Sequence, residues 1–370
     1  MTAISRLQSL DIFRGLIIAM MILVGASGNY DYTYEMLDHA PWKGFTPTDF
    51  IFPAFLFIVG VAQSLSLKKL KGRQRNKKLL KRFVILFALG LLINCFPFFY
   101  YDALHKMHPM ALEDIRIMGV LQRIALAYVI SGVLEHYFSI KGLVIICMLI
   151  ASAYYLLLSH TGYALEHNMV RRLDLGVLGA QHMYKDKGVS FDPEGLLSTS
   201  TVIINVLAGF VTGKWLGLAE RQIQVDALLK VMITGVVITA AGYLLSYSDP
   251  VIKKLWTTSF TLITAGLSIV LFTTLIYVVD LGKRGGAGWL RPFRAFGKNA
   301  ILIYLISELL MRILVLPAFE DRSSIYMRAY NTIYRHFGLY NGALLQACTY
   351  LLMCWGIVCF FDHRRLYLKV

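Results

Sequence analysis

The chain has 370 residues, of which 57% are hydrophobic and 16% charged, and its mean hydropathy is +0.60. Soluble domains carry about 25% charged residues, so this composition excludes an ordinary soluble domain and points to a polytopic membrane protein. The net charge of +15 reads as topological, with Lys and Arg held on the cytoplasmic side, and not as a nucleic-acid surface. The five cysteines (Cys95, Cys147, Cys348, Cys354 and Cys359) are scattered in apolar runs without CxxC or metal spacing. They read as small apolar side chains, and no metal is expected.

Runs of roughly 17–25 mostly apolar residues are long enough to cross a bilayer as helices. Ten are expected, at about 10–28, 47–67, 83–100, 119–138, 142–159, 195–216, 229–247, 257–280, 296–316 and 340–361. The expected fold is therefore all-α: a polytopic membrane helix bundle of about ten transmembrane helices, with residues 1–370 forming a single domain. No cleavable signal peptide is expected, because the first run contains Asp11 and Arg14 and has no small-residue cleavage site. Lys and Arg concentrate on the side shared with the N-terminus, above all in residues 68–78. Both termini are accordingly expected in the cytoplasm.

Ionisable groups inside spans are costly and face a cavity or a partner. Asp11 and Arg14 stand three apart on one helical face, where they either pair or position a phosphate-bearing ligand. Between the first two runs lies Leu37-Asp38-His39-Ala40-Pro41-Trp42-Lys43-Gly44-Phe45-Thr46-Pro47-Thr48-Asp49-Phe50. A His, two acids, a Trp and a Lys thus crowd one mouth of the bundle. Arg123, in the fourth run, has no acid nearby in sequence and needs a partner from another helix or a ligand anion. The longest outer loop, about 160–194, ends in Phe191-Asp192-Pro193-Glu194-Gly195. Its acids suit the positive end of a helix dipole, or they form a polar lip that hydrogen-bonds an amine or sugar. Around 291–299, Arg291, Arg294 and Lys298 are either topogenic or attract a polyanionic cofactor. Glu308 and Arg312, four apart, are expected to pair. The Arg- and Tyr-rich loop at about 317–339 reads as an interfacial belt. The glycine-rich stretch 282–288 follows no strand and reads as a loop, so neither a P-loop nor a dinucleotide fingerprint is present.

Six motifs go further. Ser9-Leu10-Asp11-Ile12-Phe13-Arg14-Gly15-Leu16 resembles the opening of the transmembrane acyltransferases related to lysosomal heparan-α-glucosaminide N-acetyltransferase. The segment from His39 to Pro53, followed by Phe55-Leu56-Phe57-Ile58-Val59-Gly60, is similar to that family's active-site segment. Arg116-Ile117-Met118-Gly119-Val120-Leu121-Gln122-Arg123, Phe191-Asp192-Pro193-Glu194-Gly195-Leu196-Leu197-Ser198-Thr199, Lys254-Leu255-Trp256-Thr257-Thr258-Ser259-Phe260 and Phe293-Arg294-Ala295-Phe296-Gly297-Lys298-Asn299-Ala300 follow in register. The resemblance implies a bacterial inner-membrane member, multi-pass, without the lumenal N-terminal domain of the lysosomal enzyme. It implies acetyl transfer from cytoplasmic acetyl-CoA to the amine of a periplasmic amino sugar, a glucosamine or terminal glucosaminide. It also makes His39 the match of the family's catalytic histidine. Gly25 departs from the pattern, since members often carry Asn there, so polar help would come from Ser27, Asn29 or a water.

The residues fit that chemistry. An amino-sugar amine is mostly protonated near neutral pH, and an imidazole with an ordinary pKa of about 6.5 suits a base. The same ring can instead carry the acetyl group covalently. Asp38 or Asp49 orients the ring, and Asn29, Trp42 or Lys43 donates to the thioester oxygen as it turns negative. The expected catalytic set is His39, Asp49 and Asn29. Arg14, Arg123, Arg294 and Lys298 are expected on the coenzyme A phosphates, and Asp11, Trp42, Asp192 and Glu194 on the acceptor. The cosubstrate is acetyl-CoA. The expected partners are an amino sugar or glycan acceptor, membrane lipid and, as an open option, a second copy in a homodimer. Two other readings stay open: an amino-sugar transporter, against which the lack of repeated halves counts, and an O-acyltransferase of a periplasmic glycan.

Overall fold

The computed structural model describes residues 7–68, 70, 72–102, 106–186, 188–218, 223–319 and 321–368. Lys69 and Lys71 of the basic loop, and Lys187 of the outer loop, lie outside them. The described chain is mostly helical. Its α-helices are α1 (Gln8–Val24), α2 (Pro47–Ser66), α3 (Gly72–Cys95), α4 (Val120–Tyr137), α5 (Ile140–Thr161), α6 (Met169–Leu178), α7 (Thr199–Trp215), α8 (Val225–Leu245), α9 (Thr258–Leu275), α10 (Arg291–Lys298), α11 (Ala300–Leu314), α12 (Ile325–Thr332) and α13 (Leu339–His363). Two short antiparallel hairpins decorate the loops, β1 (Phe99–Tyr101) with β2 (Met107–Pro109) and β3 (Lys185–Asp186) with β4 (Val189–Ser190).

A helix lies over each of the ten expected runs. Among the described residues five helices are long and apolar enough to cross a membrane: α2, α5, α8, α13 and α9 with its continuation to Leu281. The others over expected runs are shorter or more polar. Helices α1 and α7 have 17 residues each, about 25 Å of rise. The run expected at 296–316 is broken, because the Asn299 backbone leaves helical geometry (φ −114°, ψ 28°) and divides α10 from α11. The expected Glu308–Arg312 pair does not form as a hydrogen bond; Arg312 donates to the Phe96 carbonyl oxygen at 3.2 Å.

Burial separates centre from periphery. Helix α2 is 83% buried along its apolar stretch, whereas α5 is 17% and α8 22% buried. The outer faces of α5 and α8 expose Ile145, Met148, Leu149 and Leu156, and Leu229, Ile233, Val236 and Val237. An exposed apolar surface of that extent is unfavourable in water and fits lipid. In the centre, α2 and α7 touch backbone to backbone. A Cβ on Gly209 would stand 2.0 Å from the Phe57 carbonyl oxygen, and one on Gly60 1.8 Å from that of Val206. Around this seam Leu56, Phe57, Val206 and Leu207 are completely enclosed. The seam fixes α2, whose two ends carry the features described next.

Candidate active site

Helix α2 starts on a capping box. Thr46 N–H donates to Asp49 Oδ2 at 3.1 Å, and Thr46 Oγ1 to the same oxygen at 3.2 Å. Ala40 N–H adds a third donor at 3.2 Å. Three bonds on one oxygen hold the fully buried Asp49 rigid and leave Oδ1 for a side chain. That side chain is His39, whose Nδ1 lies 2.8 Å from Asp49 Oδ1. The ring is 49% exposed, at the mouth of the bundle and open to solvent.

Lys253, from the loop between α8 and α9, completes the group. Its Nζ lies 2.9 Å from His39 Nδ1, 3.1 Å from Nε2 and 3.5 Å from Asp49 Oδ1. Burial pushes this ammonium below its usual pKa, against the pull of Asp49 and Glu194. Asp38 turns its carboxylate to the His39 backbone N–H at 2.7 Å.

Pro41, Trp42 and Lys43, which follow His39 in the chain, line an outer cavity of about 500 Å³ together with Tyr163, Ala164, Leu165, Asp186 and Lys254; His39 itself is not in its lining. Trp42 is fixed by a 3.0 Å bond from Nε1 to the Tyr163 carbonyl oxygen and by edge packing on Phe191. Lys254 pairs with Asp186 at 2.6 Å.

A charge network, partly buried at Arg116 and Glu194 and fully buried at Asp192, Arg123 and Asp174, joins the loop before α4 to the turn into α7. Arg116 makes a bidentate pair with Asp192, at 2.6 and 2.9 Å, and reaches Glu194 at 2.5 Å. Burial works against its charge, yet Asp192 and Glu194 outweigh that and hold the guanidinium above its usual pKa. Arg123, wholly enclosed, donates to Ser198 Oγ and to the Gly195 carbonyl oxygen and lies 5.1 Å over the Trp256 ring. Asp174 receives the Leu196 and Leu197 N–H groups on one oxygen, while its Oδ2 has no hydrogen-bond partner among the described residues. Burial raises this carboxyl to about 6.

The other end of α2 borders a second cavity of about 290 Å³. Its charged lining is Arg14 of α1, Arg82 of α3 and Lys298 of α10, and its apolar walls include Ile18, Phe55, Ile58, Val59, Leu86, Val120 and Ile124. The close contact of α1 with α10 sets Arg14 beside Lys298: a Cβ on Gly15 would stand 1.7 Å from the Phe293 carbonyl oxygen. Arg14 Nη1 donates to the Gly297 carbonyl oxygen at 3.2 Å and pairs with Asp11 at 3.5 Å. Lys298 pairs with Asp362. Arg82 stacks on Tyr128, and its Nε has no hydrogen-bond partner among the described residues. His39 does not line this cavity. Phe55 does, six residues beyond Asp49 on the same helix, about 9 Å of axial rise. Tyr304, also in the lining, lies within electrostatic reach of Glu194 and Arg116.

The structure brings His39 and Asp49 together but leaves Asn29 apart. Asn29 Oδ1 accepts the Asp31 N–H and caps a local turn. Of the expected phosphate ligands, Arg14 and Lys298 share a cavity. Arg123 lies in the Ser198–Trp256 network, and Arg294 lines neither cavity. Of the expected acceptor residues, Trp42 lines the outer cavity. Asp192 and Glu194 are engaged by Arg116, and Asp11 belongs to the Arg14 end. Lys253, Arg82 and Arg116 were missed as site residues. Lys253 and Arg116 carry one sequence signal each: Lys253 neighbours the Lys254 motif, and Arg116 opens the motif that ends in Arg123.

The family model described as heparan-alpha-glucosaminide N-acetyltransferase, catalytic, matches residues 6–184. The heparan-alpha-glucosaminide N-acetyltransferase of Mus musculus is 26% identical over 83% of this chain and 54% of its own length. That of Homo sapiens is 26% identical over 82% of this chain and 53% of its own. The chain thus spans about half the length of the curated relatives it matches. These matches bear out the resemblance carried by the motifs.

Proposed function

We propose that this chain, similar over most of its length to heparan-alpha-glucosaminide N-acetyltransferases, is a transmembrane N-acetyltransferase that moves acetyl from acetyl-CoA to the amine of an amino sugar. The observation that carries the reading is the arrangement on α2. A His39–Asp49 pair stands at one end, and a cavity with three cationic side chains and a largely apolar wall borders the rest of the helix. Coenzyme A is a polyanion with a slender, largely neutral arm. Arg14, Arg82 and Lys298 suit its phosphates, and the apolar wall along Phe55, Val59 and Val120 suits the arm that carries the thioester toward His39.

On the other side, the outer cavity offers what sugars use: an immobilised indole face at Trp42 and flanking hydrogen-bonding charges at Lys43, Lys254 and Asp186. An acceptor there presents its amine beside the imidazole. His39 then removes the amine proton as the amine attacks the thioester carbonyl carbon, the C–S bond breaks, and coenzyme A thiolate leaves. In the covalent variant the ring takes the acetyl first and passes it to the amine. In this reading ten helices cross a bacterial cytoplasmic membrane, with both termini and the Arg14–Lys298 end inside and the His39 end in the periplasm.

Purified protein in proteoliposomes, given acetyl-CoA on the Arg14 side and glucosamine on the His39 side, should yield N-acetylglucosamine detectable by mass. Uptake of unmodified sugar without acetyl-CoA would replace this reading with the transporter, and an ester product would replace it with O-acylation. Retained transfer by His39→Ala protein would remove His39 from the chemistry.

A further inference from the structure

Helices α5 and α8 are long and apolar enough to cross a membrane, yet both are mostly unburied. Together with α7 and α9 they line a groove of about 550 Å³. Val144 and Met148 of α5 and Thr234 and Ile238 of α8 meet there the buried Leu207 of α7 and Ile269 of α9. No charged side chain lines it among the described residues. The later turns of α5 and the starts of α7 and α9 share one level: Thr258 Oγ1 donates to the Ala151 carbonyl oxygen at 3.1 Å, and Thr201 Oγ1 to that of Trp256 at 2.9 Å. The opposite end therefore holds the early turns of α5 and α8 and the last turn of α7, with Lys141, Lys230 and Trp215. Lys141 stands one turn before Val144, and Lys230 one turn before Thr234, so each continues the lining stripe of its helix. Both lysines are exposed and make no ion pair with a described residue. Of the nearby charges, Glu135 is held by Arg75, Lys214 lies over the Phe210 ring, and Asp226 is a turn further from the groove than Lys230.

We infer that this groove binds one anionic phospholipid, with an acyl chain along the α5–α8 cleft and the phosphate at Lys141 and Lys230 beside Trp215. Length, polarity and charge agree on that occupant. From Val144 to Tyr155 the α5 lining rises about 16 Å, and half of a bilayer's hydrocarbon core is about 15 Å, the depth of one acyl chain. Trp215 lines the groove at its cationic end, where an indole suits the headgroup level. Basic side chains at that level draw negative headgroups. A zwitterionic lipid would fill the apolar cleft equally but leave both lysines without a net counter-charge. A second copy of the chain, packed on this face by a two-fold axis along the membrane normal, would set each lysine at the level of its own copy. The site involves neither cavity at the ends of α2, so it stands apart from the acetyltransferase reading.

The test reads Trp215 fluorescence, taken as the difference between wild type and Trp215→Phe, in phosphatidylcholine vesicles. The quencher is either phosphatidylglycerol or phosphatidylcholine, brominated on the acyl chain near the glycerol. Brominated phosphatidylglycerol should quench Trp215 with an apparent affinity at least about fivefold higher, the effect of one lysine near a negative headgroup. In Lys141→Gln/Lys230→Gln the two lipids should quench alike. Equal quenching in wild type means ordinary boundary lipid and overturns the inference. Quenching by neither lipid means that another occupant, such as a second copy, covers the groove, and overturns it too. A preference that survives in the double variant removes the two lysines and the site with them. Should the double variant fail to reconstitute, wild type decides by salt: the preference must weaken as ionic strength rises, and a salt-independent preference overturns the inference. None of these readouts involves acetyl transfer, so failure here and failure of the acetyltransferase reading are distinguishable.

Discussion

Asp49 holds His39 with one carboxylate oxygen, Oδ1 at 2.8 Å from Nδ1, and starts helix α2 with the other, on which Thr46 and Ala40 N–H groups converge. The ring is therefore positioned by the same residue that positions the helix lining the basic cavity. Asp49→Asn keeps the size of the side chain but removes its charge, and its amide can present a donor to Nδ1. Acetyl transfer should fall by at least about a hundredfold. Thermal stability should fall modestly, since a cap contributes about 1 kcal/mol. Transfer in proteoliposomes and unfolding in detergent separate the two effects. Full activity with lowered stability would make Asp49 a cap and nothing more.

Two of the three cavity cations, Arg14 and Lys298, were legible because a charge inside an apolar run demands a partner or a ligand. Arg82 was not, because it lies in the basic first half of α3, where a positive charge looks topogenic. Arg123 was equally conspicuous as a charge inside an apolar run, and of the two alternatives the sequence left open the structure shows the partner from another segment. Its partners, Ser198 and Gly195, come from a distant helix start, and no spacing along the chain reveals them. His39 and Asp49 were legible through a motif, since their ten-residue separation becomes a 2.8 Å contact only when the loop folds back on the capping box. Lys253 is 214 residues from His39, a distance that sequence periodicity does not bridge.

The donor reading predicts a binding defect and spares the chemistry. Arg82→Gln and Lys298→Gln should each raise KM for acetyl-CoA by about tenfold, the loss of one charge-assisted contact of about 1.5 kcal/mol, with kcat kept within about threefold. Lys298→Gln carries an added cost because Asp362 loses its ammonium partner and keeps the Tyr367 hydroxyl. Arg82→Gln is the cleaner variant, since its Nε has no hydrogen-bond partner among the described residues. Kinetics at varied acetyl-CoA check both. An unchanged KM in Arg82→Gln would place the phosphates elsewhere.

Asp174 predicts a pH dependence of stability. Burial raises its folded pKa to about 6 from an ordinary 3.8. The folded state thus binds the proton more tightly than the unfolded chain does. Its stabilisation is complete below about pH 4 and is lost as pH rises through about 6, by an amount on the order of 2–3 kcal/mol. Asp174→Asn keeps an oxygen for the Leu196 and Leu197 N–H groups but cannot titrate. Wild type should lose stability between pH 4 and 6.5, and the variant should lose less. Melting curves in detergent at stepped pH measure the difference, and parallel curves would remove Asp174 as the cause.

The Arg116–Asp192 pair predicts non-additivity. Asp192 is fully buried and Arg116 is its bidentate partner, so Arg116→Met strands a carboxylate in the interior. The cost should be on the order of 3–5 kcal/mol, enough to lower expression and Tm together. Asp192→Asn alone leaves Glu194 to hold Arg116 and should cost less. The double variant, with neither charge left unpaired at that contact, should be more stable than Arg116→Met alone. Such a coupling marks the network as a structural brace between the loop before α4 and the turn into α7, and acetyl-CoA affinity should then follow stability. Additive losses with an unaltered Tm and a selective rise in acceptor KM would instead place Asp192 and Glu194 on the sugar.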